Sequence, residues 1–140
     1  MTLPTVLLPL FVEVVLTFAL MLWMGALRRA DYHSGAVKPQ DIALRQPNWP
    51  ARTTQAANAF SNQFEIPVLF YVLTILAWDT RHAGVLFVAL AWVFVIFRLL
   101  QAYVHVTSNV VRLRGAFYAV SALVLMIMWA IYIVQVLSGT

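Results

Sequence analysis

The sequence contains four long apolar stretches, at about residues 4–27, 51–78, 85–111 and 116–137. A helix needs roughly 20 mostly apolar residues to cross a hydrocarbon core about 30 Å thick, and each stretch is long enough. Charged residues make up only 10% of the chain, too few to cover the surface of a soluble protein of 140 residues. The sequence therefore predicts an all-α membrane protein, in which residues 1–140 form a single bundle of four transmembrane helices.

Basic residues cluster at one end of these stretches, whereas the opposite end offers only Arg81, which Asp79 balances. Because positive charge accumulates in cytoplasmic loops, the basic end is predicted to be cytoplasmic, with both chain termini outside the cytoplasm. The net charge of +4 then reflects membrane orientation, and no nucleic-acid partner is predicted. Since no organelle signal is visible, we expect a bacterial inner membrane. The basic residues at the predicted cytoplasmic end are Arg28, Arg29, Lys38, Arg45, Arg52, Arg112 and Arg114.

Polar side chains form a stripe along each of the two central stretches. In the second stretch they are 3, 4 and 3 residues apart, and in the third stretch 3, 4, 4 and 3. Either spacing places its members on one face of a helix. Polar groups at membrane depth are costly, so each stripe requires a reason. The stripes consist of Gln55, Asn58, Asn62 and Glu65, and of Arg98, Gln101, His105, Asn109 and Arg112.

The two stripes also match in depth when residues are counted from the polar turn at 79–84. In an antiparallel hairpin of equal rise, residues at equal distance from the turn lie at equal height. Glu65 and Arg98 each lie about 16 residues from the turn, so we expect them to form a salt bridge, within one chain or between chains. The same count pairs Asn62 with Gln101 and Asn58 with His105.

Two interpretations of the stripes remain open. They could line a polar cavity that opens at the cytoplasmic end and holds a hydrophilic ligand, or they could only join helices by hydrogen bonds. Their number and matched depth favour the cavity. Glu13 is a separate acid inside the first stretch with no obvious nearby base, and we interpret it as a protonated or interface-paired acid. The chain has no cysteine, which excludes thiolate metal ligands, and no metal site is predicted.

Two motifs within the stripes resemble those of a known family. Asn62-Gln63-Phe64-Glu65-Ile66-Pro67 is similar to the Asn-x-x-Glu-x-(x)-Pro motif of the MAPEG superfamily, the membrane-associated proteins in eicosanoid and glutathione metabolism. The stretch from Phe97 to Tyr103 resembles the family's Arg-x-x-Gln-x-Tyr sequence on the third helix. The order of features, including Arg28-Arg29 after the first helix and basic residues before the fourth, extends the resemblance over nearly the whole chain, as in a bacterial-type member.

The resemblance implies a homotrimer with glutathione-binding sites at the cytoplasmic ends of the subunit interfaces. It assigns Asn62 and Glu65 to the amino end and backbone of glutathione, and Tyr103 to the region near the thiol. One residue of the pair Arg28 and Arg29 is expected to bind a glutathione carboxylate. Either Arg112 or Arg114 is expected to stabilise the thiolate, since a neighbouring arginine lowers the pKa of a thiol. The polar stripes add Asn58, Arg98, Gln101 and His105 to the candidate binding residues.

The function that the resemblance implies is a glutathione transferase or peroxidase acting on a lipophilic small molecule dissolved among membrane lipids. The alternative is a non-catalytic MAPEG-like lipid-binding or scaffold protein. Three departures from the pattern of glutathione-using members favour this alternative, since Asn58 stands where they have an arginine, and Ile66 and Leu99 where they have tyrosines. A transporter or channel is a third possibility, but no repeat is visible and no segment is broken in mid-membrane.

Overall fold

A computed structural model describes residues 1–44 and 47–139 of the chain. Arg45, one of the basic residues of the predicted cytoplasmic end, lies outside the described residues. All the regular elements in the described part are helical, and a 3₁₀ turn at Asn62–Phe64 separates the third helix from the fourth. The α-helices are α1 (Leu3–Ser34), α2 (Pro39–Ile42), α3 (Ala51–Ser61), α4 (Ile66–Asp79), α5 (Val85–Val106) and α6 (Val111–Leu137).

Four segments of the described residues are long and apolar enough to cross a membrane. They are α1, α5, α6 and the combined segment from α3 to α4 (Ala51–Asp79). The prediction of an all-α protein with four membrane spans is therefore confirmed. Large apolar side chains remain exposed along every span, including Phe18 on α1, Ile75 on α4 and Met126 on α6. Such surfaces suit a hydrocarbon environment, since a soluble monomer rarely exposes apolar patches of this extent.

The predicted end of the first helix is seven residues too early. The sequence suggests Leu27 because Arg28 and Arg29 follow, but α1 continues to Ser34. Arginine is a good helix former, so a pair of arginines marks the exit from the hydrocarbon core without ending the helix. The helix ends where Gly35 adopts a left-handed conformation, with φ of 80°, and its N–H bonds the carbonyl of Tyr32.

The boundary between the last two spans also differs from the prediction. The third helix was expected to reach Val111 and the fourth to begin at Ala116, but α5 ends at Val106 and α6 begins at Val111. Asn109 closes α5 in a left-handed conformation, with φ of 49°, and its N–H bonds the Val104 carbonyl at 2.7 Å. Asparagine tolerates this conformation better than other side chains do. The basic residues predicted to separate the two helices therefore lie in the first turn of α6.

The second span is broken between α3 and α4, where a continuous helix was expected. The break comprises the 3₁₀ turn and Glu65, whose φ of −96° and ψ of −113° are not helical. Pro67 explains it, because proline has no N–H to donate to the carbonyl of Gln63 and its ring collides with that carbonyl in a straight helix. The break leaves backbone carbonyls at this depth available to other donors.

The core of the bundle divides into two parts. The part nearer the turn at residues 79–84 is apolar, and the rings of Phe70 on α4 and Phe94 on α5 stack there with centroids 4.7 Å apart. The part nearer the basic end is small and is formed by the buried side chains of Leu20, Ala59 and Ala102. Small side chains at the latter two positions let α1, α3 and α5 approach closely, which is common between membrane helices. Polar side chains then occupy the space between α3, α5 and α6 at the same end of the bundle.

Candidate functional site

A cavity of about 540 Å³ lies between α3, α5 and the start of α6. Its volume falls in the range of sites that hold small-molecule ligands. Six members of the candidate set predicted from sequence line it together, which supports the cavity interpretation of the stripes. They are Asn58, Asn62, Glu65, Gln101, His105 and Arg114, and the remaining lining residues are Ser61, Gly115 and Tyr118.

Of the two arginines in the first turn of α6, Arg114 is the one that lines this cavity. Its Nη1 donates a hydrogen bond of 2.8 Å to Oδ1 of Asn109, whose left-handed backbone places that oxygen beside the first turn of α6. Arg112 is exposed and does not line the cavity. The sequence left the choice between these two arginines open, and the geometry favours Arg114 as the cationic group of the site.

Asn62 joins the two polar stripes, although in a different register from the predicted one. Its Nδ2 lies 3.4 Å from Nδ1 of His105, whereas depth counting paired Asn62 with Gln101. The count assumed a uniform rise of about 1.5 Å per residue, but a 3₁₀ turn rises about 2.0 Å per residue and the helix break displaces the rest of the span. Both His105 and Gln101 are buried, so α5 forms the buried wall of the cavity.

The predicted salt bridge between Glu65 and Arg98 is absent within the chain. Arg98 is fully buried and donates from Nη2 to the backbone carbonyl of Asn62 at 3.0 Å, while its Nε and Nη1 have no hydrogen-bond partner among the described residues. Glu65 is exposed at the cavity. Glu13 on α1 is also fully buried, and its two carboxyl oxygens have no hydrogen-bond partner among the described residues. The interpretation of Glu13 as a protonated or interface-paired acid therefore stays a prediction.

Arg98 does not line the cavity, but it lies directly behind two residues that do. Besides its bond to the Asn62 carbonyl, its guanidinium carbon lies 5.7 Å from the centre of the Tyr118 ring. A cation over a tyrosine face at this distance is attracted by the ring quadrupole. Of the candidate binding residues, Arg98 is thus the one buried behind the cavity wall.

Arg28 lies in a neighbouring cavity of about 410 Å³, on the other side of α3. The two cavities share Asn58 and Ser61, so Arg28 and Arg114 are at the same end of the bundle. The guanidinium of Arg28 lies 5.2 Å from the centre of the Trp49 ring. Arg29 is exposed on a different face, beside His33.

Tyr103 also lies away from the cavity, since its side chain is 68% exposed on the outer face of α5. A role for Tyr103 or Arg29 beside a bound ligand would therefore need a neighbouring chain, and it stays a prediction. Tyr118 was missed by the sequence analysis, although a signal was present. It follows Arg114 by four residues, a spacing that places two side chains on the same face of a helix.

One of the three departures from the family motif, Asn58, lies in the same cavity. Asn58 lies in the wall where the resemblance expects an arginine. Arg52 does not take over this position, because its guanidinium lies 4.8 Å from the centre of the Trp23 ring on α1. The wall formed by α3 therefore carries amide and hydroxyl groups, and Arg114 supplies the positive charge from α6.

Four apolar spans define a multi-pass integral membrane protein, and a polar cavity lies at one end of these spans. The sequence model of the MAPEG family matches residues 6–134, and the chain belongs to this family. A general role in glutathione or eicosanoid metabolism at a membrane follows from that membership. No curated protein and no solved structure gives a significant match to the chain.

Proposed function

We propose that this chain is a membrane-bound glutathione transferase or peroxidase that conjugates or reduces lipophilic molecules. The observation that carries the proposal is the convergence of Arg114, Glu65 and Asn62 on one cavity at the end of the spans. Glutathione has a positively charged amino group, two carboxylates and a thiol. A carboxylate, a guanidinium and several amides within one cavity complement these groups.

Within the cavity, Arg114 is the group that acts on the thiol. A guanidinium beside a thiol favours the thiolate, which is the nucleophilic form. Asn109 holds the guanidinium from behind through its 2.8 Å bond, so little reorganisation is needed when the thiolate forms. Glu65 and Asn62 offer oxygen acceptors for the amino end of the tripeptide. The lipophilic partner would reach the sulfur from the bilayer, while glutathione enters from the aqueous end.

A second copy of the chain is part of the proposal. Ser61 and Glu65 are exposed on a membrane-spanning segment, and Asn58 lies in the same open wall, where contact with lipid would be costly. In a homotrimer, these side chains would face a neighbouring chain, which would close the open side of the cavity. The basic end that carries Arg28 and Arg114 would be cytoplasmic, the compartment from which glutathione is drawn.

The departures at Asn58, Ile66 and Leu99 favour a second candidate, a non-catalytic protein that binds a lipid or another anion in the same cavity. Isothermal titration of the purified protein with glutathione separates the two candidates. The enzyme should bind glutathione and conjugate it to 1-chloro-2,4-dinitrobenzene or use it to reduce cumene hydroperoxide. Binding without either reaction would favour the non-catalytic candidate, and absence of binding would refute the proposal.

The position of the thiol can be tested with a matched ligand. A glutathione analogue with serine in place of cysteine keeps the carboxylates and the amino group but cannot form a thiolate. The parent protein should prefer glutathione over this analogue, because only glutathione places a negative charge beside Arg114. In the Arg114→Ala variant, the two ligands should bind with similar affinity. If that variant still preferred glutathione over the analogue, Arg114 would not be the residue that stabilises the thiolate.

A further inference from the structure

His105 is a buried histidine in the cavity wall, with only 4% of its side chain exposed. It lies in the last turn of α5, which ends at Val106. Asn109, which holds Arg114 through the 2.8 Å bond, is tied to the same turn because its N–H bonds the Val104 carbonyl at 2.7 Å. The imidazole of His105 and the guanidinium of Arg114 therefore line one cavity from two turns that Asn109 joins.

The contact with Asn62 determines which nitrogen of the His105 ring carries the hydrogen. Nδ2 of Asn62 lies 3.4 Å from Nδ1 of His105. A carboxamide nitrogen can only donate, so Nδ1 accepts, and in the neutral ring the hydrogen is on Nε2. Nε2 bonds no group among the described residues, and it is not one of the fully enclosed polar atoms. A ligand in the cavity can therefore reach a donor at Nε2.

A neutral N–H donor suits the charges of this cavity. Arg114 and Glu65 are the charged residues of the lining, and Tyr118, whose ring contacts Arg98, is the remaining titratable one besides His105. A neutral imidazole adds a hydrogen bond without placing a second positive charge beside Arg114, where the two charges would repel each other. A hydrogen bond to the charged form of a thiol favours that form, and more strongly where water is excluded.

We propose that His105 donates a hydrogen bond from Nε2 to the sulfur of bound glutathione, so that a neutral donor on α5 and a cation on α6 stabilise the thiolate together. The inference rests on the proposed function and adds a second residue in contact with the reacting atom. The proton that leaves the thiol passes to water at the aqueous end, because neither Arg114 nor the Nε2–H group can accept it. Asn62 keeps the ring in the tautomer that donates.

Two amides of different length separate this role from a purely structural one. The side-chain nitrogen of glutamine can take the place of Nε2, whereas the shorter asparagine reaches only as far as Nδ1. His105→Gln therefore keeps a donor for the sulfur, and His105→Asn keeps only a polar group beside Asn62. The ultraviolet absorbance of the thiolate, followed against pH, measures the ionisation of bound glutathione in each variant.

The two variants should differ in both ionisation and catalysis. In His105→Asn, the pKa of the bound thiol should rise by about one to two, and kcat/KM should fall about ten- to hundredfold, because the thiolate has lost one donor. His105→Gln should stay close to the parent in both measurements. His82→Asn makes the same change in the turn at residues 79–84, at the opposite end of the spans, and should alter neither value.

Other results would overturn the proposal. If His105→Asn kept the parent's values and His105→Gln lost them, His105 would act only through its contact with Asn62. If bound glutathione ionised equally in the parent and in both variants, the sulfur would have no contact with His105.

The tautomer can also be measured in the absence of a ligand and with His105 unchanged. The chain has three histidines, so His105 is the only one left in the His33→Gln/His82→Gln variant. In ¹⁵N-histidine-labelled protein, we expect the hydrogen on Nε2 and a change of the Nε2 signal when glutathione is added. A hydrogen on Nδ1, or an Nε2 signal that ignores bound glutathione, would overturn this inference alone. A parent protein that does not bind glutathione refutes the proposed function, and this inference with it.

Discussion

Nη1 of Arg114 donates a hydrogen bond of 2.8 Å to Oδ1 of Asn109, across the turn that joins α5 to α6. Asn109 is in the left-handed region, with φ of 49°, and this conformation brings its side chain next to the first turn of α6. Arg112, two residues before Arg114, has no part in this bond and is exposed. The conformation of the turn therefore determines which of the two arginines faces the cavity.

The Arg114→Ala and Arg112→Ala variants should differ sharply in catalytic activity. Loss of Arg114 removes the cation that stabilises the thiolate, so kcat/KM for conjugation should fall by about a hundredfold or more. Arg112→Ala removes an exposed charge of the same kind and should change kcat/KM little. Steady-state kinetics of both variants, with glutathione varied at saturating electrophile, make the comparison. Equal losses in the two variants would contradict the assignment.

Asn109 allows positioning of Arg114 to be separated from backbone strain. Asn109→Ala forces a left-handed conformation on a side chain that disfavours it, at a cost of about 1–2 kcal/mol, and also removes the acceptor for Arg114. Asn109→Gly removes the acceptor but adopts the conformation freely. Both variants should lose activity to a similar extent, whereas only Asn109→Ala should lower the melting temperature. Full activity in Asn109→Gly would show that Arg114 does not need this bond.

The exposed polar residues of the second span bear on the oligomeric state. Native mass spectrometry in a mild detergent should give three times the chain mass of 15.8 kDa, because in the proposed homotrimer a neighbouring chain covers the exposed Asn58, Ser61 and Glu65. The same sample in a denaturing detergent provides the monomer reference. A monomer or dimer in the mild detergent, over a range of protein concentrations, would contradict the homotrimer.

The spans and most of the cavity could be predicted from the sequence because both depend on local patterns. Apolar length reveals a span, and the spacing of Asn58, Asn62 and Glu65 is enough to place them on one face. The basic side chains Arg28 and Arg114 marked one end of the bundle because each lies beside an apolar stretch. These patterns need no knowledge of how the helices are rotated against one another.

The partner of Arg98 could not be predicted in this way. Depth counting indicated Glu65, because it treated the second span as a straight helix and compared heights only. The break before Pro67 changes both the height and the direction of the preceding segment, and Glu65 lies exposed at the cavity. The burial of Glu13 could not be predicted either, because it depends on how α1 packs against α5, which no local pattern reveals.

The stability of the protein should depend on its two fully buried ionisable side chains, Glu13 and Arg98, and not on the exposed Glu65. Glu13→Gln leaves the guanidinium of Arg98 alone in the core, and a lone buried charge typically costs about 3–5 kcal/mol. Glu65→Gln changes an exposed side chain and should leave the melting temperature nearly unaltered, which makes it the matched control. Arg98→Leu should destabilise the bundle as Glu13→Gln does, and the double Glu13→Leu/Arg98→Leu variant should recover much of the loss. Thermal unfolding of the detergent-solubilised protein, followed by circular dichroism, measures all four. If Glu65→Gln lowered the melting temperature as much as Glu13→Gln, then Glu65 of one chain would be pairing with a buried cation after all, and stability would not depend on Glu13 and Arg98 alone.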